Sequence, residues 1–473
     1  MRFGCICEGL GLNPDARPNS EPSWPISSAQ GILIGGNFWN AFFGRKTLRH
    51  VDKFIPPFRQ IKPALISPHA IFFSLFERIR KHRIARKAVS IALLPIELIL
   101  SVPLYLARVR FLRIAIGRIG HLALEPDVFV KEQLLGLTKR CFGVIVSPPG
   151  TAANECLLEY WRRYIRVVSY PFRALILARF YRFPYLRYDL NRSVVAINKT
   201  APFIAVQQAW GNRPALLSLE ENHRRKGRAR LAELGVPSDA EFICFHCREG
   251  GYSPSDEHLH SFRNNSIENY LPAASELAIR GLWCIRMGDP TMRRIAPMER
   301  VIDYAHLDIR SDWMDVFLCA GCRFFLGSAS GLSHVASIFG RPSAMANQVP
   351  LSTALQFGMS DVAIPKLLWL EREGRYLNFG EAFDSDISNF RYTNLYQEHG
   401  IRLLENTAED IRNLALEMLS RSEGRAIYTP EDEELQQRFK AHMRPGHYSF
   451  GGINRIGRDF LRKYAYLLEE RSG

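Results

Sequence analysis

The chain has 473 residues, long enough for two domains with sizeable cores. Hydrophobic residues make up 47% and charged residues 23%, as in ordinary globular proteins, and no internal repeat or low-complexity tract is visible, which excludes repeat and low-complexity architectures. The formal charge of +15 is not ordinary and points to an acidic partner: nucleic acid, an anionic membrane surface or a phosphorylated substrate.

Residues 1–60 are rich in Gly, Pro, Asn and Ser with little periodicity and are expected to be poorly ordered. Residues 69–113 change character. A cationic cluster (Arg78, Arg80, Lys81, Arg83, Arg86, Lys87) precedes an apolar run from Ala88 to Ala107, and Arg108, Arg110 and Arg113 follow it. The run approaches the ~20 residues that span a bilayer, but it contains Pro95, Glu97 and Pro103. A kinked helix lying in the membrane interface, with arginines on anionic headgroups, fits this pattern best; a true span and a buried helical pair are the alternatives. Residues 61–108 are therefore assigned to membrane association.

From Arg113 strands and helices alternate. "FLRIAIGRIGHLALEPDVFVKEQL" reads as strand, glycine turn and helix, and "RCFGVIVSPPG" as another strand. "ECLLEYWRRYIRVV" reads as an amphipathic helix, "SVVAINKTAPFIAV" as a strand-and-turn unit, and "SLEENHRRKGRARLAELGVP" as a charged helix with a glycine stop. After Pro237 the strands are "EFICFHCRE", "GLWCIRMGD", "RVIDYAHL" and "CRFFLGSAS", with helices near 267–280, 311–320 and 331–339. This alternation implies parallel sheets covered on both faces. The expected fold is α/β: two doubly wound Rossmann-like domains, 109–235 and 236–430, facing a cleft. Residues 431–473 are expected to return as helices to the first domain.

The sequence begins without a secretory signal and cleavage site, so the nine cysteines are read as reduced, mostly buried thiols. Two Cys-x-x-Cys pairs, Cys244/Cys247 and Cys319/Cys322, raise zinc. Their separation far exceeds the roughly 15–20 residues of common zinc modules, and both overlap apparent strands, which favours structural thiols. There is no Walker-type loop, no nucleophile elbow in a strand-turn-helix setting, no HExxH and no DxD pair with apolar flanks. No basic stripe interleaved with aromatics marks a nucleic-acid module.

Ligands of doubly wound sheets sit beyond the carboxyl ends of the strands. Four polar clusters follow such ends: "HCREGGY" (246–252), "RMGD" (286–289), "HLD" (306–308) and "GSASGLSH" (327–334). Arg248 and Arg286 are candidates for bidentate anion binding. The small residues Gly327 to Gly331 before a helix let backbone amides and the helix dipole approach an anion, and an ordinary tight turn is the plainer reading. His334 falls on the first turn of that helix. His260, Arg263 and Asn264 are candidates to line the same rim, while Asn265 or Ser266 caps a helix. Across the cleft, His121 is a candidate general base. Asp303, Asp308, Asp312 and Asp315 are acidic candidates, the last two also suiting a helix start.

The run "DVFLCAGCRFFLGSASGLSHVASIFGRPSAMANQVPL" resembles the donor-site signature of heptosyltransferase-like inverting glycosyltransferases with the two-Rossmann GT-B fold. With "HCREGGY", "HSFRNNSIENYLPA", "RMGD", "GRIGHLALEPDVF" and "LLEYWRRYI", it is similar to a family of bacterial surface-polysaccharide glycosyltransferases, over residues 105–360. The resemblance implies a metal-independent transferase, with a nucleotide-sugar as co-substrate, no other cofactor, and a glycan or lipid-linked acceptor at the cytoplasmic face of the inner membrane. It implies Ser328, Ser330, Gly331 and His334 at the diphosphate, with Arg248 and Arg286 neutralising it and His121 on the acceptor side; from their position at the second-domain rim, Arg263 is assigned to the same donor site and Asp308 to a catalytic role. Glu249 stands where the family pattern has Asp, which leaves an acidic role there in doubt. The rival expectations are a nucleotide-sugar 2-epimerase and a non-catalytic nucleotide-sugar-binding membrane scaffold.

Overall fold

Short apolar runs closed by small or polar turns set the strands of this computed structural model, which describes residues 83–188, 201–251, 254 and 257–469. Residues 1–60 and the cationic Arg78, Arg80 and Lys81 lie outside the described residues. The helix α1 (Arg83–Leu106) leads into β1 (Val109–Leu112). Helix α2 (Ile119–Leu134) then connects to β2 (Phe142–Val146), and α3 (Glu155–Trp161) to β3 (Arg166–Val168). Helix α4 (Pro171–Ala178) and two 3-10 turns lead to β4 (Arg187–Tyr188). The four strands form one parallel sheet in the order β3-β2-β1-β4.

Two local expectations change. The stretch from Glu155 to Val168 is not one helix: it breaks after Trp161, and Arg166–Val168 pairs along β2, where β-branched side chains pack better than on a helix. Residues 201–206 are helical rather than extended. They open α5 (Ala201–Trp210), whose Phe203, Ile204 and Val206 bury against Val128 of α2. Residues 193–200 of that expected unit lie outside the described residues. Helix α6 (Glu221–Glu233) stops as expected at Gly235, whose φ of +83° favours glycine.

The second sheet contains the four expected strands, β5 (Phe242–His246), β6 (Trp283–Arg286), β7 (Val301–Ile302) and β8 (Phe325–Gly327). It extends further through β9 (Ser343–Gln348) and β10 (Val362–Pro365). Strands β11 (Leu367–Leu370), β12 (Arg375–Tyr376) and β13 (Ile401–Leu404) make a small antiparallel sheet, and β14 (Arg455–Ile456) closes the large one, whose order is β14-β10-β9-β8-β5-β6-β7. All seven of its strands are parallel. Alternation along β5 sends Ile243 and Phe245 into one core and Phe242 and Cys244 into another. The first core is covered by α7 (Leu271–Ile279) and, later in the chain, α10 (Ala408–Ser422); the second by α8 (Asp312–Gly321) and α9 (Gly331–Ile338). The fold is thus α/β with two parallel sheets.

The two sheets do not face each other across an open cleft along their whole height. Leu122 of α2 and Leu157 and Trp161 of α3 share a core with Phe317 of α8, Val335 of α9 and Phe339, the residue that caps α9. The Trp161 indole donates to Leu122 O at 2.9 Å, and the Tyr160 and Phe339 rings meet edge to face at 5.1 Å. At about 1.5–3 kcal/mol for each large apolar side chain removed from water, this layer welds the sheets together. All described residues belong to one compact unit.

The tail also departs from expectation. Beyond α11 (Pro430–Ala441), β14 pairs with β10 and α12 (Arg458–Lys463) packs on α10, so these elements complete the second sheet, while the loop between the two helices touches the first domain where Gln208 Nε2 of α5 donates to Gly451 O at 2.6 Å. Cys244, Cys319 and Cys322 are free, buried thiols in the second core, with Cys319 on α8 and not on a strand. Among the described residues no group of three or more His, Cys, Asp or Glu side chains is arranged to hold a metal ion.

Candidate functional site

Strand β8 ends in Gly327, and the chain turns through Ser328, Ala329 and Ser330 into α9. Ser330 is the N-cap: its Oγ accepts from Leu332 N at 3.4 Å, and Ser333 Oγ donates back to Ser330 O at 2.8 Å. Helix α2 begins beside it, with Arg118 at its N-cap. The two helices are in backbone contact. A Cβ on Gly331 would lie 2.7 Å from Gly120 N, and one on Gly120 would lie 2.9 Å from Gly331 Cα. Two helix N-termini, each with amides lacking partners inside the helix, are thereby brought side by side.

Cations collect around them. Arg263, from the loop before α7, donates to Ala329 O in the turn itself. Burial lowers its guanidinium to about 10, and the positive charges of Arg248 and Arg118 push the same way. His334 is lowered to about 4, first by burial and then by His121 and Arg263, so it is neutral at pH 7. Arg248 is held in place rather than mobile: its backbone N–H donates to Ser328 Oγ at 2.9 Å, and Nη1 to Asn264 Oδ1 at 2.6 Å and His260 O at 3.2 Å. Glu257 lies 3.7 Å from Nη2. Glu257 offsets part of the Arg248 charge, but the Arg263 guanidinium, opposed by both Arg248 and Arg118, sits in positive potential that an anion would relieve.

His121, on the first turn of α2, is paired with Glu125 one helical turn on, Nδ1 to Oε1 at 2.6 Å. Burial raises the Glu125 carboxyl while the His121 contact opposes the rise. The arrangement fixes the imidazole orientation, as a carboxylate does for a general base.

An open polar hollow of about 490 Å³ adjoins this cluster at the carboxyl ends of β5 and β6, lined by Glu249, Gly250, Asn264, Thr291, Arg293 and Glu405 among others. Lys366, 5% exposed, supports its wall by donating to Asn264 O at 2.7 Å, and burial lowers its ammonium to about 8.

His121, Arg248, Arg263, Ser330, Gly331 and His334 are thus brought together. Three expected residues are placed otherwise. Arg286 is 1% exposed and committed to Glu249 at 3.0 Å, Asp303 at 3.1 Å and Arg293 O at 2.5 Å, so it holds two loops together instead of facing an anion. Ser328 is fully buried, with its Oγ taken by Arg248 N. Asp308 lies exposed in the turn before α8, whose first residue, Asp312, accepts from Glu155 N at 2.6 Å. Asp312 thus belongs to the α3–α8 contact, whereas His121 belongs to the α2–α9 contact. Asp315 accepts from Tyr304 Oη at 2.7 Å. Glu249 has the structural task of pairing with Arg286 and accepting from Arg293 N at 3.2 Å.

Arg118, Glu125 and Lys366 are members that the sequence reading missed. The i, i+4 spacing of His121 and Glu125 is a legible signal; Lys366, between two apolar strands, gives none.

No family model and no curated protein matches the sequence. Among solved structures, the chain is distantly similar to the ADP-heptose LPS heptosyltransferase II of E. coli, at 14% identity and TM-score 0.34 over 55% of this chain and 90% of that one. A second is a family 9 glycosyl transferase from Veillonella parvula DSM 2008, at 13% identity and TM-score 0.30 over 64% of this chain and 78% of that one.

Proposed function

We propose that this chain is a glycosyltransferase that moves a sugar from a nucleotide-sugar to a glycan acceptor, in the assembly of bacterial surface polysaccharide. The observation that carries the reading is the cluster of Arg118, Arg248 and Arg263 against two abutting helix N-termini. Such a site suits a diphosphate, which offers several anionic oxygens to guanidinium forks and main-chain amides. The hollow beside it has the hydroxyl- and amide-binding groups that a nucleoside or sugar needs.

The chemistry is a direct displacement at the anomeric carbon. His121 takes the proton of the attacking acceptor hydroxyl while Glu125 stabilises the imidazolium that forms. The anomeric carbon–oxygen bond breaks toward the nucleoside diphosphate, and Arg248, Arg263 and the α9 amides hold its developing charge. A single displacement inverts the anomeric centre. These cations can stabilise the leaving group without a metal ion. The neutral His334 offers a ring nitrogen to a phosphate or sugar hydroxyl. The acceptor is lipid-linked, and the protein works on the cytoplasmic face of the inner membrane, attached peripherally.

A thermal-shift screen with nucleoside diphosphates and their sugars tests this reading, because a ligand that binds only the folded state raises its Tm. A rise with one nucleotide series that Arg263→Ala abolishes supports the site. Product analysis with a radiolabelled donor then separates transfer from epimerisation: an epimerised free nucleotide-sugar overturns the transferase.

A further inference from the structure

Helix α1 presents an unusual surface. The 19 residues Ala88–Leu106 have a mean hydropathy of 2.0, yet only 11% of that window is buried. Ile91 and Ile99 are 70% exposed and Leu106 is 73% exposed. A face this apolar is costly to leave in water, at about 25 cal/mol per Å².

The opposite side of the same helix is polar and tied down. Glu97, at the midpoint of the window, is buried; its Oε2 lies 2.9 Å from Arg182 Nη1, and Oε1 pairs with Arg179. Ser101 is fully buried, donating to Leu98 O at 2.6 Å and meeting Tyr185 Oη at 2.5 Å. Arg179, Arg182 and Tyr185 lie on the 3-10 turns that feed β4, so the middle of α1 is fastened to the first sheet. Ahead of those turns, α4 exposes a second apolar set: Tyr170, Phe172 and Ile176.

We propose that α1 and α4 together form an in-plane platform on an anionic phospholipid surface, with α1 lying along the interface rather than crossing it. The proposal deepens the peripheral attachment proposed above and does not depend on the transfer chemistry. Were α1 to cross the bilayer, Glu97, both arginines and the irregular backbone of residues 179–186 would sit at the midplane. Each charge there costs about 2.5–3.5 kcal/mol or more, and lipid-exposed irregular backbone is not tolerated. Lying flat, the helix keeps its ion pairs toward the protein and its isoleucines toward the acyl chains. The occupant is anionic because the apolar window is basic at both ends, with Arg83, Arg86 and Lys87 before it and Arg108 and Arg110 after it.

The test uses the full chain with vesicles containing phosphatidylglycerol, and with phosphatidylcholine vesicles for comparison. Wild type partitions to the anionic vesicles, while Ile91→Glu with Ile99→Glu, and separately Phe172→Glu with Ile176→Glu, each weaken partition at least tenfold. Ile279→Glu, at a 77%-exposed site on α7, leaves partition unchanged. Tryptophans placed at Ile91, Ile99, Leu106 and Phe172 are then quenched by lipids brominated at two depths, and all four report a similar shallow depth. A markedly deeper Ile99→Trp than Leu106→Trp signifies a span and overturns the proposal. So does glutamate-variant binding equal to wild type, or absence of any lipid-dependent partition. A lipid-free dimer that Ile99→Glu dissociates would assign the face to a second copy instead. None of these measurements needs a donor or acceptor, so their failure leaves the transferase reading standing.

Discussion

Gly120 and Gly331 stand backbone against backbone, and that contact sets the distance between the two halves of the candidate site. Because the nearest obstructing atom at each position is main chain, with Ile119 Cγ2 also 2.9 Å from a Cβ on Gly331, shifting a side chain does not relieve the clash. Gly331→Ala is expected to cost about 1–3 kcal/mol in stability by overpacking, and to weaken nucleotide binding by separating α2 from α9. Gly117→Ala, whose Cβ would meet nothing nearer than Thr151 O at 3.7 Å, is the control. Equal denaturation midpoints for the two variants would contradict the contact's importance.

Arg263 and Arg286 separate binding from folding. Arg286→Met leaves Glu249 and Asp303 without their guanidinium and is expected to lose about 3–5 kcal/mol of stability in urea titrations. Arg263→Met removes a cation that its neighbours repel, so it is expected to keep most of its stability and lose nucleotide affinity at least tenfold. The opposite pattern would reverse the two assignments.

His121→Ala is expected to lower kcat by roughly 10²–10⁴-fold, the usual contribution of a general base, while the donor-induced Tm shift persists. Glu125→Gln keeps the ring but removes the carboxylate that orients it, and a smaller loss in kcat with unchanged donor affinity is expected. A donor-affinity loss in either variant would place His121 on the phosphate instead.

Two buried histidines make acid destabilising, against the opposite contribution of Asp361 and Asp315, whose carboxyls burial raises to about 7 and about 6. His246, 4% exposed, is lowered by burial to about 4, and His334 is lowered in the same direction. A histidine depressed in the folded state is protonated in the unfolded chain first. The histidine contribution is therefore complete above the unfolded value near pH 6.5 and falls as pH drops toward 4, by roughly 3 kcal/mol for His246 alone. Thermal melts of wild type and His246→Asn between pH 7.5 and 4.5 isolate this contribution by difference: the variant should gain stability relative to wild type as pH falls, and a pH-independent difference would count against it.

Periodicity and punctuation in the sequence determined the α/β class, the parallel strands β5, β6 and β8, the small-residue turn before α9 and the buried thiols. Those features are local: runs of Phe, Ile and Cys ended by Gly or charged residues declare a buried strand wherever they occur. It also marked Arg248 and His334, because polar residues in the segment that follows a strand's carboxyl end have few other places to be, and Arg263, from an unusually polar stretch ahead of a helix. What chain order cannot carry is how charges pair across it. Arg248 and Arg286 look alike in sequence, yet Arg248 is held on Asn264 and His260 O in the loop that carries Arg263, while two carboxylates, 37 positions upstream and 17 positions downstream of Arg286, claim the other. Only the tertiary structure decided that α2 and α9 touch, that Glu97 is neutralised from residues 179–182, and that the tail completes the second sheet, because each depends on non-local packing and desolvation rather than on neighbouring residues.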